Sequence, residues 1–179
     1  LPRNAILGTA SVRRKAFILS KRPDLNIILL RGNINTRIKK FKNGDYDAII
    51  LAEAGIQRLD INIPYTELTE DIMLPSAGQG AIGIQCRSKD KSILNLLKTI
   101  NHEISEYETL AERSFVANLN GTCSSPIGAS ATIKNETLFL SGALANTDGS
   151  TVLSDKISGF YKDAKKIGAS LAKKIIEKN

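Results

Sequence analysis

Five arginines and one cysteine in this chain have surroundings that could do chemistry. Arg13 and Arg14 close the run Ile6-Leu-Gly-Thr-Ala-Ser-Val-Arg-Arg14, and Arg31 sits in Ile27-Ile-Leu-Leu-Arg-Gly-Asn33. Each run reads as a short apolar strand, a tight polar turn and the start of a helix. Unpaired N–H groups at a helix start carry partial positive charge and attract anions. An arginine beside such a start adds a planar, permanently charged fork that matches carboxylate or phosphate. With Arg37 and Arg58 added, two readings stay open: one anion site for a polyanionic small molecule, or five scattered surface charges.

Cys123 lies in the polar loop Asn120-Gly-Thr-Cys-Ser-Ser125. An accessible thiol near positive charge can act as a nucleophile, and a half-buried packing cysteine is the alternative. Cys86, inside the apolar run Ala81–Cys86, reads as a core residue. Glu53 and Asp60 read as solvated or ion-paired acids, and His102 as a residue near a helix start. Two cysteines without a CxxC, and a single histidine far from both, exclude the usual zinc patterns, so no metal is expected. Gly78-Gln-Gly80 is too short for a nucleotide-binding fingerprint, and neither GxGxxG nor GxxxxGK[ST] occurs.

The elements that must position these residues alternate strand and helix. Strands are predicted over residues 5–8, Asn26–Leu30 and Asp47–Ala52. Helices are predicted from a Ser11 cap to Lys21, from an Asn33 cap to Asn43-Gly44, and over Ala54–Leu59. The stripe Val12, Ala16, Leu19 is expected on the buried face of the first helix. This alternation implies a parallel sheet, whose ligands sit at the carboxyl ends of the strands. Thr9, Ser11, Arg13, Arg14 and Arg31 fall there. Further on, a strand is predicted over Ala81–Cys86 and helices over Lys91–Ile100 and 103–119. Strands Ile127–Ile133, Thr137–Ala145 and Thr151–Phe160 follow. A last helix places Ala164, Ile167, Leu171 and Ile175 on one face. The fold class is therefore α/β, a parallel-sheet domain, followed by a small α+β domain with an antiparallel three-stranded sheet.

Length and charge set wider bounds. The 179 residues suffice for one large or two small domains, and 42% hydrophobic with 5% aromatic content fits an ordinary α/β protein. The net charge of +7 permits nucleic-acid binding. Much of the lysine, however, lies on the last helix, and aromatics are not interleaved with the basic residues, so no nucleic-acid partner is expected. No apolar run approaches the ~20 residues that span a bilayer, so no membrane partner is expected either. Two cysteines make a disulfide scaffold unexpected and point to a reducing compartment, the cytoplasm.

Taken together and in order, several segments resemble the hydroxymethylbilane synthase, or porphobilinogen deaminase, family. They are Gly8-Thr-Ala-Ser-Val-Arg-Arg14, Arg31-Gly-Asn33 with Thr36-Arg37, Tyr46-Asp-Ala-Ile-Ile-Leu-Ala52, Ala54-Gly55 and Arg58-Leu59. Leu74-Pro75, Gly78-Gln-Gly-Ala81, Cys86-Arg87, Glu112-Arg113 and Cys123 with Pro126-Ile-Gly128 complete the set. The resemblance implies a transferase that joins porphobilinogen units head to tail into a linear tetrapyrrole, releasing ammonia, on a dipyrromethane cofactor. It assigns the cofactor's thioether to Cys123 and cofactor contacts to Thr9, Ser11, Arg13, Arg14 and Arg31. It assigns substrate contacts to Arg37, Arg58 and Gln79.

The resemblance further implies three divisions: a second, binding-protein-like α/β domain over 1–77, a returning segment of a first domain over 78–99, and a C-terminal α+β domain over 100–179. The family's catalytic aspartate lies in a Lys-Asp-Val-Pro-like segment of the first domain. These residues contain no such segment, so none of them is assigned a catalytic role. The chain is expected to be a fragment, monomeric and inactive alone. Three positions depart from the family pattern: Ala10 where serine is frequent, and Asn120 and Thr122 where the loop is often acidic and glycine-rich. The rival reading is a non-catalytic anion-binding module of two-lobed binding-protein type, which has no use for a thiol-borne pyrrole.

Overall fold

Ser11 and Asn33 fix where the first two helices begin. In the computed structural model, which describes residues 1–122 and 124–178, strand β1 (Ile6–Gly8) leads into helix α1 (Val12–Lys21). Strand β2 (Asn26–Ile28) leads into α2 (Ile34–Lys42). The Ser11 hydroxyl accepts the Arg14 N–H at 3.3 Å, and the Asn33 side-chain oxygen accepts the Thr36 N–H at 2.9 Å. Each satisfies one of the donors a helix start leaves unpaired. Strand β3 (Ala48–Ile49) and helix α3 (Glu53–Arg58) follow. The three strands pair in the order β2-β1-β3, parallel, with Leu7 opposite both Ile27 and Ala48.

The chain divides into two compact units. The first comprises Leu1–Leu74, Gly121–Gly128 and Ala143–Ser154. Its core joins Ala5 and Leu7 of the β1 region, Ala16, Phe17 and Ile18 of α1, and Leu25, Ile50, Met73, Leu74, Ala143 and Ala145. The second comprises Pro75–Asn120, Ala129–Gly142 and Asp155–Asn179. It holds helices α4 (Lys91–Lys98) and α5 (Glu103–Asn118), and α6 (Ala164–Ile176), which follows a 3₁₀ turn. Strands β4 (Ile127–Lys134), β5 (Thr137–Ala145) and β6 (Val152–Phe160) form an antiparallel sheet in that order. Ala164, Ile167, Leu171 and Ile175 are buried as the sequence pattern requires, along with Ala111 and Phe115 of α5. His102 caps α5, its ring nitrogen facing the Ser105 N–H at 3.3 Å.

Four expectations need correction. No strand forms over Ala81–Cys86: the segment is irregular, and Ile82 and Ile84 are 86% and 60% exposed. An alternating apolar pattern selects a strand only where a neighbour takes its ladder bonds, and none of the described strands does so here. For the same reason Cys86 is half-buried in irregular chain rather than in a sheet core. Strands β2 and β3 are shorter than the apolar runs that contain them, and Leu29 is 57% exposed. Finally, the buried face of α1 runs through Arg13, Ala16, Phe17 and Ile18, rotated from the expected stripe Val12, Ala16, Leu19. The rotation arises because an arginine, counted as polar in the pattern, turns inward.

Gly168 sets how closely α5 and α6 approach. Glycine inside a helix costs about 1 kcal/mol relative to alanine, so alanine would stabilise an open site. Here a Cβ would collide with the Ala111 carbonyl oxygen and lie 2.8 Å from the Phe115 amide nitrogen. Both obstacles are backbone and cannot swing aside. Gly168→Ala is expected to destabilise the protein by about 1–3 kcal/mol, the usual cost of overpacking, read from the midpoint of urea denaturation.

Candidate anion site

The carboxyl end of β1 is held from both sides. The Thr9 N–H donates to the Ile28 carbonyl at 3.0 Å, and the Ile50 N–H donates to the Gly8 carbonyl at 3.3 Å. Gly8 is required there, because a Cβ would lie 2.8 Å from the Tyr46 ring. Thr9 is buried, and its hydroxyl accepts the Ser11 N–H at 3.2 Å. The turn from β1 into α1 is thereby fixed before any ligand arrives.

Arg13 and Arg14 rise from the first turn of α1. Arg13 is only 7% exposed, and its Nη1 donates to the Leu74 carbonyl. The Arg14 Nη1 donates to the Ile50 carbonyl at 2.7 Å, just beyond β3. The Arg37 Nε donates to the Gly32 carbonyl at 2.7 Å, in the turn between β2 and α2. These guanidinium groups are tied to backbone carbonyls rather than to carboxylates. Burial, followed by the charge of Arg14, lowers the Arg13 pKa to about 10. Burial, followed by the charge of Arg37, lowers that of Arg14. The neighbouring charges that depress Arg13 and Arg14 are themselves cations.

The ion pairs Arg22–Asp24, Lys166–Asp163, Lys173–Glu177 and Lys178–Asp155 involve none of these arginines. The first turns of α1 and α2 contain no acidic residue. Their positive dipole ends therefore add to the guanidinium charge.

The structure thus brings together Thr9, Ser11, Arg13, Arg14 and Arg37. Arg31 is exposed directly after the buried Leu30, one residue before the Gly32 carbonyl that holds Arg37. Arg58 ends α3 and is exposed. Gln79 belongs to the second unit, exposed in a turn where its Oε1 accepts the Ser76 hydroxyl at 3.3 Å. Cys123 lies outside the described residues. Sequence reasoning missed the Leu74 and Ile50 carbonyls, because a backbone acceptor leaves no residue-type signal. No group of three or more His, Cys, Asp or Glu among the described residues could hold a metal ion. No helix among them is long and apolar enough to cross a membrane.

Comparison with known proteins decides the family. Residues 1–95 match the family model described as porphobilinogen deaminase, dipyromethane cofactor binding domain. Residues 107–177 match that of the porphobilinogen deaminase C-terminal domain. The chain belongs to the porphobilinogen deaminase family. The porphobilinogen deaminase of Lawsonia intracellularis is 45% identical over 97% of this chain and 57% of its own length. That of Campylobacter jejuni strain 81-176 is 47% identical over 99% of this chain and 59% of its own length. That of Bacillus pumilus is 42% identical over 99% of this chain and 58% of its own length. The chain therefore spans less than three fifths of the length of these relatives.

A cluster of cations held by backbone carbonyls should gain from a multivalent carboxylate. At ten times its Kd, such a ligand raises folding stability by about 1.4 kcal/mol through linkage. Citrate at constant ionic strength is expected to raise the thermal midpoint of the protein. Arg14→Met should remove most of that rise while leaving the fold intact, as thermal-shift measurements on both proteins would show.

Proposed function

We propose that the whole protein condenses porphobilinogen head to tail into a linear tetrapyrrole, with release of ammonia, and that the arginine cluster binds the acetate and propionate groups of the pyrroles. The observation that supports this reading most is the charge on Arg13, Arg14 and Arg37, whose guanidinium groups donate to backbone carbonyls. Each pyrrole of this kind brings two carboxylates, so a growing chain needs several fixed cations. Arginine suits the task because its fork can bind carboxylate in a bidentate manner while one N–H stays on the backbone.

The donor set also suits a dipyrromethane group, which is an anion carrier of the same chemistry. When bound, that group supplies the pyrrole on which the chain grows. In this reading Cys123 holds it through sulfur. Arg13, Arg14 and Arg31, with the hydroxyls of Thr9 and Ser11, hold its carboxylates. Arg37, Arg58 and Gln79 contact incoming substrate. Residues 1–77 then form a second domain, 78–99 a returning segment of a first domain, and 100–179 the C-terminal domain. The protein is a cytoplasmic monomer, and the 179 residues alone bind pyrrole acids without turnover, because the resemblance puts the reaction's aspartate in a segment they do not contain.

Two measurements test this. In the whole protein, peptide mapping should find a pyrrole adduct on the Cys123 peptide. Cys123→Ser should lose the adduct and Cys86→Ser should keep it, because only an accessible thiolate attacks an electrophilic pyrrole. An adduct on Cys86, or full loading of Cys123→Ser, would overturn the assignment. Separately, Arg31→Leu should weaken binding of a synthetic dipyrromethane carrying acetate and propionate side chains by about 1.5–3 kcal/mol, the scale of a charged hydrogen bond. Isothermal titration giving unchanged affinity in a folded variant would return Arg31 to the role of a surface charge.

A further inference from the structure

Strand β4 lies at an edge of its sheet, so every second backbone N–H on its open side needs a partner from elsewhere. Three successive ones are satisfied by one carbonyl and two carboxylates. The Ala129 N–H donates to the Pro75 carbonyl at 2.9 Å. The Ala131 N–H donates to Glu112 Oε1 at 2.8 Å, and the Ile133 N–H to Glu108 Oε1 at 2.9 Å. Glu108 and Glu112 are one helical turn apart on α5 and share a face. Glu108 would suffice to explain an edge cap. Glu112 does more, because its second oxygen accepts the Gly78 N–H at 2.6 Å.

Gly78 is the centre of a double turn. The Gln79 N–H closes the first turn on the Ser76 carbonyl at 2.9 Å, and the Ala81 N–H closes the second on the Gly78 carbonyl at 3.1 Å. Gly78 and Gly80 have φ of +72° and +92°, and each is the third residue of its turn, where such values favour glycine. In a turn of this kind the N–H of the third residue points away from the closing bond. Glu112 takes the one at Gly78 with a charge-assisted hydrogen bond. Gln79 stands between the two glycines and is the one residue there whose side chain can reach a ligand.

We propose that Glu112 is the positioning residue for Gln79. One carboxylate ties the double turn to the edge of β4 and so fixes the direction in which the Gln79 amide is presented. This rests on the reading of Gln79 as a substrate contact. Replacing Glu112 by glutamine leaves one carbonyl oxygen for two N–H donors and turns an NH₂ toward the other. The turn then loses its anchor, whereas the packing of Ala111 and Phe115 in the same helix is untouched.

The test is steady-state kinetics of the whole protein with porphobilinogen, separating KM from kcat. Gln79→Ala should raise KM about three- to ten-fold, the scale of one hydrogen bond. Glu112→Gln should do the same with kcat little changed, and the double variant should add little, since both act on one contact. Glu108→Gln removes an edge cap of the same kind and should leave KM unchanged. Gly78→Ala strains the turn at its positive φ without a clash, since the added Cβ would meet only Thr109 Cγ2 at 3.5 Å. It should raise KM too, and it keeps the proposal testable should Glu112→Gln fail to fold. If Gln79→Ala raises KM while Glu112→Gln and Gly78→Ala do not, or if the double variant is additive, the positioning role is overturned. An unchanged KM in Gln79→Ala would instead overturn the substrate role of Gln79, and the proposal with it.

Discussion

A guanidinium taken out of water loses hydration that a neutral carbonyl only partly replaces, and a second cation beside it adds repulsion. At an effective dielectric of ~20, two unit charges ~6 Å apart repel by about 3 kcal/mol. Arg13 and Arg14 bear both burdens: burial is the first cause of each lowered pKa and another arginine is the second. Carbonyls of Leu74 and Ile50 hold them in place without neutralising them. The folded chain therefore stores an unfavourable electrostatic term at the carboxyl ends of β1 and β3. A ligand that brings carboxylates removes that term on binding, so the same charges that reduce stability add to affinity. Most other features of the first unit follow from holding this arrangement still. Thr9 is bonded into the sheet, Ser11 caps α1, and neither α1 nor α2 opens with an acid that would quench the field.

The second unit meets a backbone constraint rather than an electrostatic one. An edge strand exposes N–H groups that invite pairing with other chains. On β4 these are taken by a carbonyl and two carboxylates, which need no further strand. A carboxylate has two oxygens, so a single side chain can serve the edge and a turn at once. The accounting of backbone donors thus links α5, β4 and the Gly78–Gly80 turn within one unit.

Legibility in the sequence followed the range of the interactions. The Ser11 and Asn33 caps act over three residues and were readable from residue type alone. The α6 face and the strands β5 and β6 came from periodicity in elements long enough to show it. The pattern misled where a distant partner decided the outcome. Arg13 is buried because its acceptor, Leu74, stands 61 positions away in sequence. Glu112 finds Gly78 and Ala131 at separations of 34 and 19. In the sequence Glu112-Arg113 carries only a family resemblance, although Glu108 and Glu112, one turn apart, are a visible signal of a shared acidic face. Ala81–Cys86 shows the converse, an apolar alternation without a neighbour to complete it.

The arginines also differ in how much order a ligand must impose on them. The Arg14 and Arg37 side chains are already tethered by one N–H each, to Ile50 and Gly32, so binding costs little further rotamer freedom. Immobilising a long side chain on binding costs roughly 0.5–1.5 kcal/mol. Arg31 and Arg58 are exposed, so the tethering argument does not extend to them. Preorganised cations give a tight, directional grip on a carboxylate at a fixed place. Exposed arginines give a weaker grip but can follow a carboxylate that moves. In the proposed reading, a group that stays in place and a chain that lengthens make different demands, and a set containing both kinds of arginine would meet both. The division lies in the burial of the side chains, not in their identity, which is why five identical letters in the sequence could not reveal it.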